Sequence, residues 1–385
     1  MENLHRYILG ASGSGKSTLL KSWVLQELDA PVLFIDPLGP NALDLLDHLP
    51  PDTTTRVCYI DLGNREHSVG FNPVEEPQHL VEAFKGIWRD SWGPRLEWFL
   101  YNGLAALHEA RGTLLDLPAL YYDDEHRARI LKRAMKPSTL EFWLREYPSY
   151  NDRYREDAMG PILNKVGQFL ASPAIRASLS VKSPPLSLPK ALRAKTIIIL
   201  NLNIPVVGEQ AGHLYASMFI SRLRTALMQT PTLIRLYFDE FPKYAAHHIP
   251  DLTSIFRNFG VSLTASHQLL EQIEPATRAS ILTNMTSKTV FQSSPEDARI
   301  IAPHFKTNLQ DFTRELTDLA PYSAWQHDRN GNKRITTTPL PEQRSHRATI
   351  IKESNDRFAH AIVPPAPRRQ VFKQPARRIV RRRRT

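Results

Sequence analysis

The sequence predicts an α/β fold, a mainly parallel sheet with helices on both faces that is interrupted by an all-helical insertion. Three observations carry that expectation. Short apolar runs at 31–35, 57–60, 196–200 and 233–238 alternate with helical stretches, as strands buried on both faces do. From about residue 75 to 190, apolar and aromatic residues recur only at helical intervals. A glycine-rich turn joins an apolar run to a helical one within the first twenty residues.

That turn is Gly10-Ala11-Ser12-Gly13-Ser14-Gly15-Lys16-Ser17-Thr18, which matches the phosphate-binding pattern G-x-x-x-x-G-K-[ST]. Residues 6–9 read as the strand leading in and 17–25 as the helix leading out. Gly10, Gly13 and Gly15 let the backbone turn tightly and aim its N–H groups at phosphate oxygens, and the helix adds the positive end of its dipole. Ser14 and Thr18 complete the cradle. Lys16 is suited to the β and γ phosphates of ATP, and the Ser17 hydroxyl to Mg²⁺.

The runs at 31–35 and 57–60 end at Asp36 and Asp61, at the carboxyl edge where an α/β sheet binds its ligands. Next, Trp88, Trp92, Leu96, Trp98, Phe99, Leu104 and Leu107 open the helical insertion, with breaks at Gly112, Pro118, Pro137, Pro148, Pro161 and Pro173. Because the tryptophans follow the apolar spacing, they read as core rather than as a base-stacking platform. Beyond the insertion come a strand at 196–200, a helix at 209–228, a strand at 233–238, a helix at 251–259, and strands at 261–265 and 288–292. Runs at 322–326 and 334–338 flank Asn330-Gly331, a hairpin signal.

The run at 233–238 delivers Asp239 and Glu240. Adjacent carboxylates at the end of a buried strand are costly unless a cation or a function requires them. Asp239 is suited to the Mg²⁺ on Ser17, and Glu240 to polarising the water that attacks the γ phosphate. Gln268 follows the 261–265 strand and reads either as a γ-phosphate sensor or as a capping glutamine. Arg257 reads either as an arginine finger for a neighbouring subunit's nucleotide or as a helix-surface arginine. Cys58 lies in an apolar run and reads as a buried structural thiol, and His247-His248 as surface residues.

Of the formal charge of +10 over 385 residues, +9 falls on Arg368, Arg369, Lys373, Arg377, Arg378 and Arg381 to Arg384, leaving +1 for the rest (10 − 9 = 1). The body is near neutral. The Pro-rich, acid-free end reads as a disordered tail, either an arm for polyanions such as double-stranded DNA or a solubilising end. The phosphate-binding loop begins at residue 10 and no run of 18 apolar residues occurs, so a cytoplasmic protein is expected.

Taken together, Gly10 to Thr18, Asp36-Pro37-Leu38-Gly39, Gly70-Phe71-Asn72-Pro73, Tyr237-Phe238-Asp239-Glu240-Phe241, Arg257-Asn258-Phe259-Gly260 and Ala265-Ser266-His267-Gln268 resemble the FtsK-HerA superfamily of DNA-pumping ATPases. The similarity is greatest to the motor domains of conjugation and type IV secretion coupling proteins and to HerA-like translocases. It extends from residue 6 to about 340. It implies a RecA-like P-loop core at 1–74 and 191–345, the insertion at 75–190 and the tail at 346–385. The resemblance further implies an ATPase whose hydrolysis is coupled to DNA movement. Asp239 would bind Mg²⁺, Glu240 activate water, Arg257 act from the adjacent subunit, and Gln268 sit at the γ phosphate with Lys16. A ring, commonly a hexamer, with double-stranded DNA in its pore is implied, with a relaxase or membrane-channel partner. Coupling proteins usually carry transmembrane helices before the motor and HerA proteins a small β-barrel. This sequence shows neither, so any membrane association is expected through a partner. A viral genome-packaging ATPase of the same superfamily, or a nucleotide-dependent adaptor for a protein cargo, remains compatible with these residues.

Overall fold

The computed structural model describes residues 5–88, 91–133, 136–305, 309–340 and 346–362. Its strands are β1 (Arg6–Leu9), β2 (Val32–Asp36), β3 (Val57–Asp61), β4 (His67–Val69), β5 (Ile197–Asn201), β6 (Ile234–Phe238), β7 (Val261–His267), β8 (Ser287–Val290), β9 (Ser323–Asp328), β10 (Gly331–Thr336) and β11 (Ala359–Ala361). Among the described residues, nine of them form one sheet in the order β10-β9-β8-β1-β7-β6-β2-β5-β3. From β8 to β3 every pairing is parallel. The hairpin β9–β10 adds to β8 antiparallel.

Parallel strands need crossovers, and these cover both faces with helices. Alternate side chains therefore feed two apolar layers. In β2, Leu33 and Ile35 face one layer, Val32 and Phe34 the other. The smaller layer takes Leu19, Leu20 and Val24 of the helix Lys16–Gln26 and Leu45 and Leu46 of the helix Pro40–His48. The larger takes Leu214, Phe219 and Leu223 of the helix Glu209–Gln229.

Between β4 and β5 the regular elements among the described residues are all helical. Their core residues, Phe99, Trp143 and Ile162 among them, belong to the same apolar cluster as Leu33 and Leu200. Trp143 is buried, but Trp98 is 45% exposed and donates from Nε1 to Glu146 Oε1 at 2.8 Å, so the tryptophan spacing does not place every ring in the core.

One boundary is corrected. Part of the stretch expected as disordered tail is folded: Arg347–Phe358 is a helix and β11 pairs antiparallel with β4. The helix buries Ile350 in the smaller layer, and its Ser354 hydroxyl accepts the backbone N–H of Tyr59 on edge strand β3 at 2.8 Å. Arg347 pairs with Asp47. Surface charge on one face hid an apolar contact on the other. The arginines from Arg368 to Arg384 lie outside the described residues.

Candidate active site

The phosphate-binding loop connects β1 to the helix Lys16–Gln26 at the carboxyl edge of the sheet. Gly13 (φ 75°) and Gly15 (φ 112°) occupy the left-handed region that favours glycine. Ala11 N donates to Gln292 O at 2.7 Å, which ties the loop to the end of β8. Lys16 is buried and its Nζ donates to Ala11 O at 2.9 Å. Burial lowers the Lys16 pKa, while Glu240 and Asp239 act to raise it.

Opposite the loop, β6 delivers Asp239. Its Oδ1 accepts from Ser266 Oγ at 2.6 Å, and its Oδ2 from Asn41 Nδ2 at 2.7 Å and Ser17 Oγ at 3.3 Å. Burial pushes the Asp239 pKa up to about 6; Asp36 and Glu240 add to the rise, whereas the Ser266 bond and Lys16 oppose it. Ser17 Oγ and Asp239 Oδ2, 3.3 Å apart, are the pair that could hold a divalent cation.

Glu240 takes a left-handed backbone (φ 46°), which is uncommon for any residue but glycine and is a strain found at functional sites. Its Oε1 accepts from Gln268 Nε2 at 2.8 Å, while its Oε2 is buried without a hydrogen-bond partner. Gln268 reaches it because β6 and β7 are parallel neighbours with Phe238 opposite Ala265. Behind them, Phe241 packs edge-on against the His267 ring at 5.0 Å. Tyr7 Oη donates to His267 Nε2 at 2.5 Å, and His267 Nδ1 donates to Gln272 Oε1 at 3.3 Å. Burial lowers the His267 pKa to about 4, so the ring is neutral and both bonds hold across the ordinary pH range. Gln272 Oε1 also accepts the backbone N–H groups of Gln268 and Leu269, which fixes the turn that presents Gln268.

Together these residues line a cleft of about 260 Å³: Gly13, Gly15, Lys16, Ser17 and Thr18 on one wall, Asp239, Glu240 and Gln268 on the other. A strained glutamate with one unpartnered buried oxygen, facing a lysine and a serine-aspartate pair, fits a nucleoside triphosphate with Mg²⁺.

No protein-family model and no curated protein matches the sequence. Solved structures do. The unbound bacterial conjugative coupling protein TrwBdeltaN70 has a TM-score of 0.63 at 13% identity, covering 89% of this chain and 86% of that chain. TrwB in complex with ADP and Mg²⁺ has a TM-score of 0.62 at 12% identity, covering 89% and 87%. VirB4 of Thermoanaerobacter pseudethanolicus has a TM-score of 0.55 at 14% identity, covering 89% and 90%. The fold is the RecA-like P-loop fold that these structures share.

Within this fold, Arg257 stands apart from the cleft. It is exposed on the turn Phe256–Phe259, which precedes β7 at the amino edge of the sheet. The strand that follows, at about 3.3 Å per residue, puts roughly 20 Å between it and the carboxyl edge. Its charge, after burial, helps hold the His5 pKa at about 4. Gly10 lies at the foot of the loop, where a Cβ would stand 2.6 Å from Phe291 Cβ. Ser14 is buried, and its Oγ has no hydrogen-bond partner.

Asp36 and Asp61 have backbone roles. Asp36 accepts from Leu38 N at 2.9 Å and from Ala42 N at 2.8 Å, and Asp61 accepts from Gly63 N at 2.8 Å, so each shapes a loop. His248 is buried rather than on the surface, with its Nε2 2.9 Å from Ser217 Oγ. Tyr322, Lys243 and Asn41 also line the cleft. None carries a local motif. For Tyr322 the signal is conformational, a bulky residue at φ 63°, which only the structure shows.

Proposed function

We propose that the chain is an ATP-hydrolysing motor that moves double-stranded DNA in a conjugative or type IV secretion-like transfer, working as a closed ring. The observation that carries this reading is the convergence of Lys16, Ser17, Asp239, Glu240 and Gln268 in one cleft, with Arg257 at the opposite edge of the sheet. TrwB, whose fold the chain shares, has been solved with ADP and Mg²⁺ and with non-hydrolysable analogues of both GTP and ATP, which supports a nucleotide in the cleft.

In this reading Lys16 leaves the Ala11 carbonyl for the β and γ phosphates. Ser17 and Asp239 would hold Mg²⁺, whose charge would offset that of the phosphate oxygens. Glu240 Oε2 takes a proton from water as the water oxygen bonds to the γ phosphorus and the bridging bond to ADP breaks. Gln268 holds Glu240 through Oε1 and keeps Oε2 turned to that water. An arginine at the amino edge cannot reach its own cleft across about 20 Å of strand, but a head-to-tail neighbour brings one in, and a head-to-tail contact that closes is a ring. Closing of that interface on ATP inserts Arg257, and hydrolysis then shifts the pore loops along the phosphate backbone.

Steady-state ATP turnover of the full chain and of a chain ending at Val363, each with and without double-stranded DNA, tests the reading. DNA stimulation that survives loss of the tail is the expected result, falling steeply with salt because the contacts are to phosphates. Stimulation that vanishes with the tail would assign DNA contact to Arg368 to Arg384 alone. No response from either chain would replace the motor with a nucleotide-dependent adaptor.

A further inference from the structure

We infer that Tyr322 is the residue on which the base of the bound nucleotide stacks, a role that rests on the nucleotide reading above. Tyr322 is the one aromatic among the described residues that line the cleft.

Its place in the sheet fixes which end of the nucleotide it meets. The phosphate-binding loop follows β1, and Asp239 follows β6, two strands away on one side. Tyr322 immediately precedes β9, two strands away on the other. Asp239, Glu240 and Gln268 mark the terminal-phosphate end. A triphosphate strung along the loop from that end sends its nucleoside towards β8 and β9, and Tyr322 stands there.

The residue is also held as a platform. Tyr322 N donates to Ser14 O, within the phosphate-binding loop, at 2.8 Å, and Tyr322 O accepts from Thr337 N at 2.8 Å. Its left-handed backbone, φ 63°, is one that bulky side chains avoid and that persists only where neighbours enforce it. One edge of the ring lies against the loop: a Cβ on Gly15 would stand 3.0 Å from Tyr322 Cδ1. Yet the residue is 50% exposed, so much of the ring is left for a ligand.

An aromatic face stacks on any base without reading its hydrogen-bonding edge, so ATP and GTP are expected to bind alike. Removing such a ring costs about tenfold to a hundredfold in affinity per stacked base.

Titration of the full chain with the Mg²⁺ complexes of ATP, GTP and inorganic tripolyphosphate tests this. Tyr322→Ala is expected to weaken ATP and GTP about tenfold or more, to leave tripolyphosphate within about twofold, and to be rescued by Tyr322→Phe. Equal weakening of all three ligands would make Tyr322 a support for the loop and overturn the inference, as would unchanged ATP affinity. If the unaltered chain binds neither ATP nor tripolyphosphate, the nucleotide reading itself fails. Should the alanine variant not fold, photolabelling of the unaltered chain with 8-azido-ATP decides: label on the peptide carrying Tyr322 supports stacking, and label confined to other peptides overturns it.

Discussion

Gln268 Nε2 donates to Glu240 Oε1 at 2.8 Å, and this bond leaves Glu240 Oε2 as a buried acceptor with no partner of its own. Two residues 28 apart in sequence thus form one unit, a glutamate held by one oxygen and free at the other. Glu240→Gln is expected to cut kcat about a hundredfold to ten-thousandfold while ATP still binds, since it removes the proton acceptor but not the phosphate contacts. Gln268→Ala, which frees the carboxylate to turn, is expected to lower kcat by less, about tenfold, with little change in nucleotide affinity. Single-turnover rates beside equilibrium binding separate the two effects. If Glu240→Gln turned over normally, Glu240 would not be the base.

Asp239 is expected to be a stability liability. Its folded pKa of about 6 lies above the ordinary carboxylate value of 3.8, so between those values the folded chain binds more protons than the unfolded one. Stability from this group therefore falls as pH rises through the window, and the charged form costs on the order of 2–3 kcal/mol at neutral pH. Asp239→Asn should raise the melting temperature at pH 7.5 in the absence of nucleotide and Mg²⁺, abolish turnover, and melt with the unaltered chain near pH 3. Equal melting at pH 7.5 would show that burial exacts no such cost.

Arg257 is expected to act in trans. Mixing Arg257→Ala with Lys16→Ala, each inactive alone, pairs intact loops with intact arginines at about a quarter of random head-to-tail contacts and should restore turnover in that proportion. Mixtures that stay inactive would return Arg257 to the sheet surface.

The helix Arg347–Phe358 is expected to seal the β3 edge. Ser354→Ala leaves Tyr59 N–H buried without the hydroxyl that accepts it, at a cost of about 1–3 kcal/mol. Calorimetry should show a lower melting temperature with kcat unchanged. A variant as stable as the parent would mean that water replaces the hydroxyl.

What could be read in the sequence was whatever its local pattern determines. The phosphate-binding loop is a local motif, and the strands that deliver Asp36 and Asp239 are mostly apolar, with Arg235 the one charged residue before either aspartate, because both faces are covered. Gln268 was legible as a candidate because parallel neighbours end together. Strand order was not: nothing local says that β5 lies between β2 and β3, or that β9 brings Tyr322 over the loop. The roles of Asp36 and Asp61 depend on whether backbone N–H groups already occupy their oxygens, and residue type does not record that. The helix Arg347–Phe358 escaped notice because three arginines or lysines, Arg347, Lys352 and Arg357, share it with the few apolar residues that dock it.

The apolar cluster running without a break from Leu33 and Leu200 into Phe99, Trp143 and Ile162 has a thermodynamic meaning. Sheet and insertion share that one apolar interior, so heat should dismantle them in a single calorimetric peak. The insertion is accordingly no cartridge to be lifted onto another protein. Cut away, it would leave part of a common interior facing water.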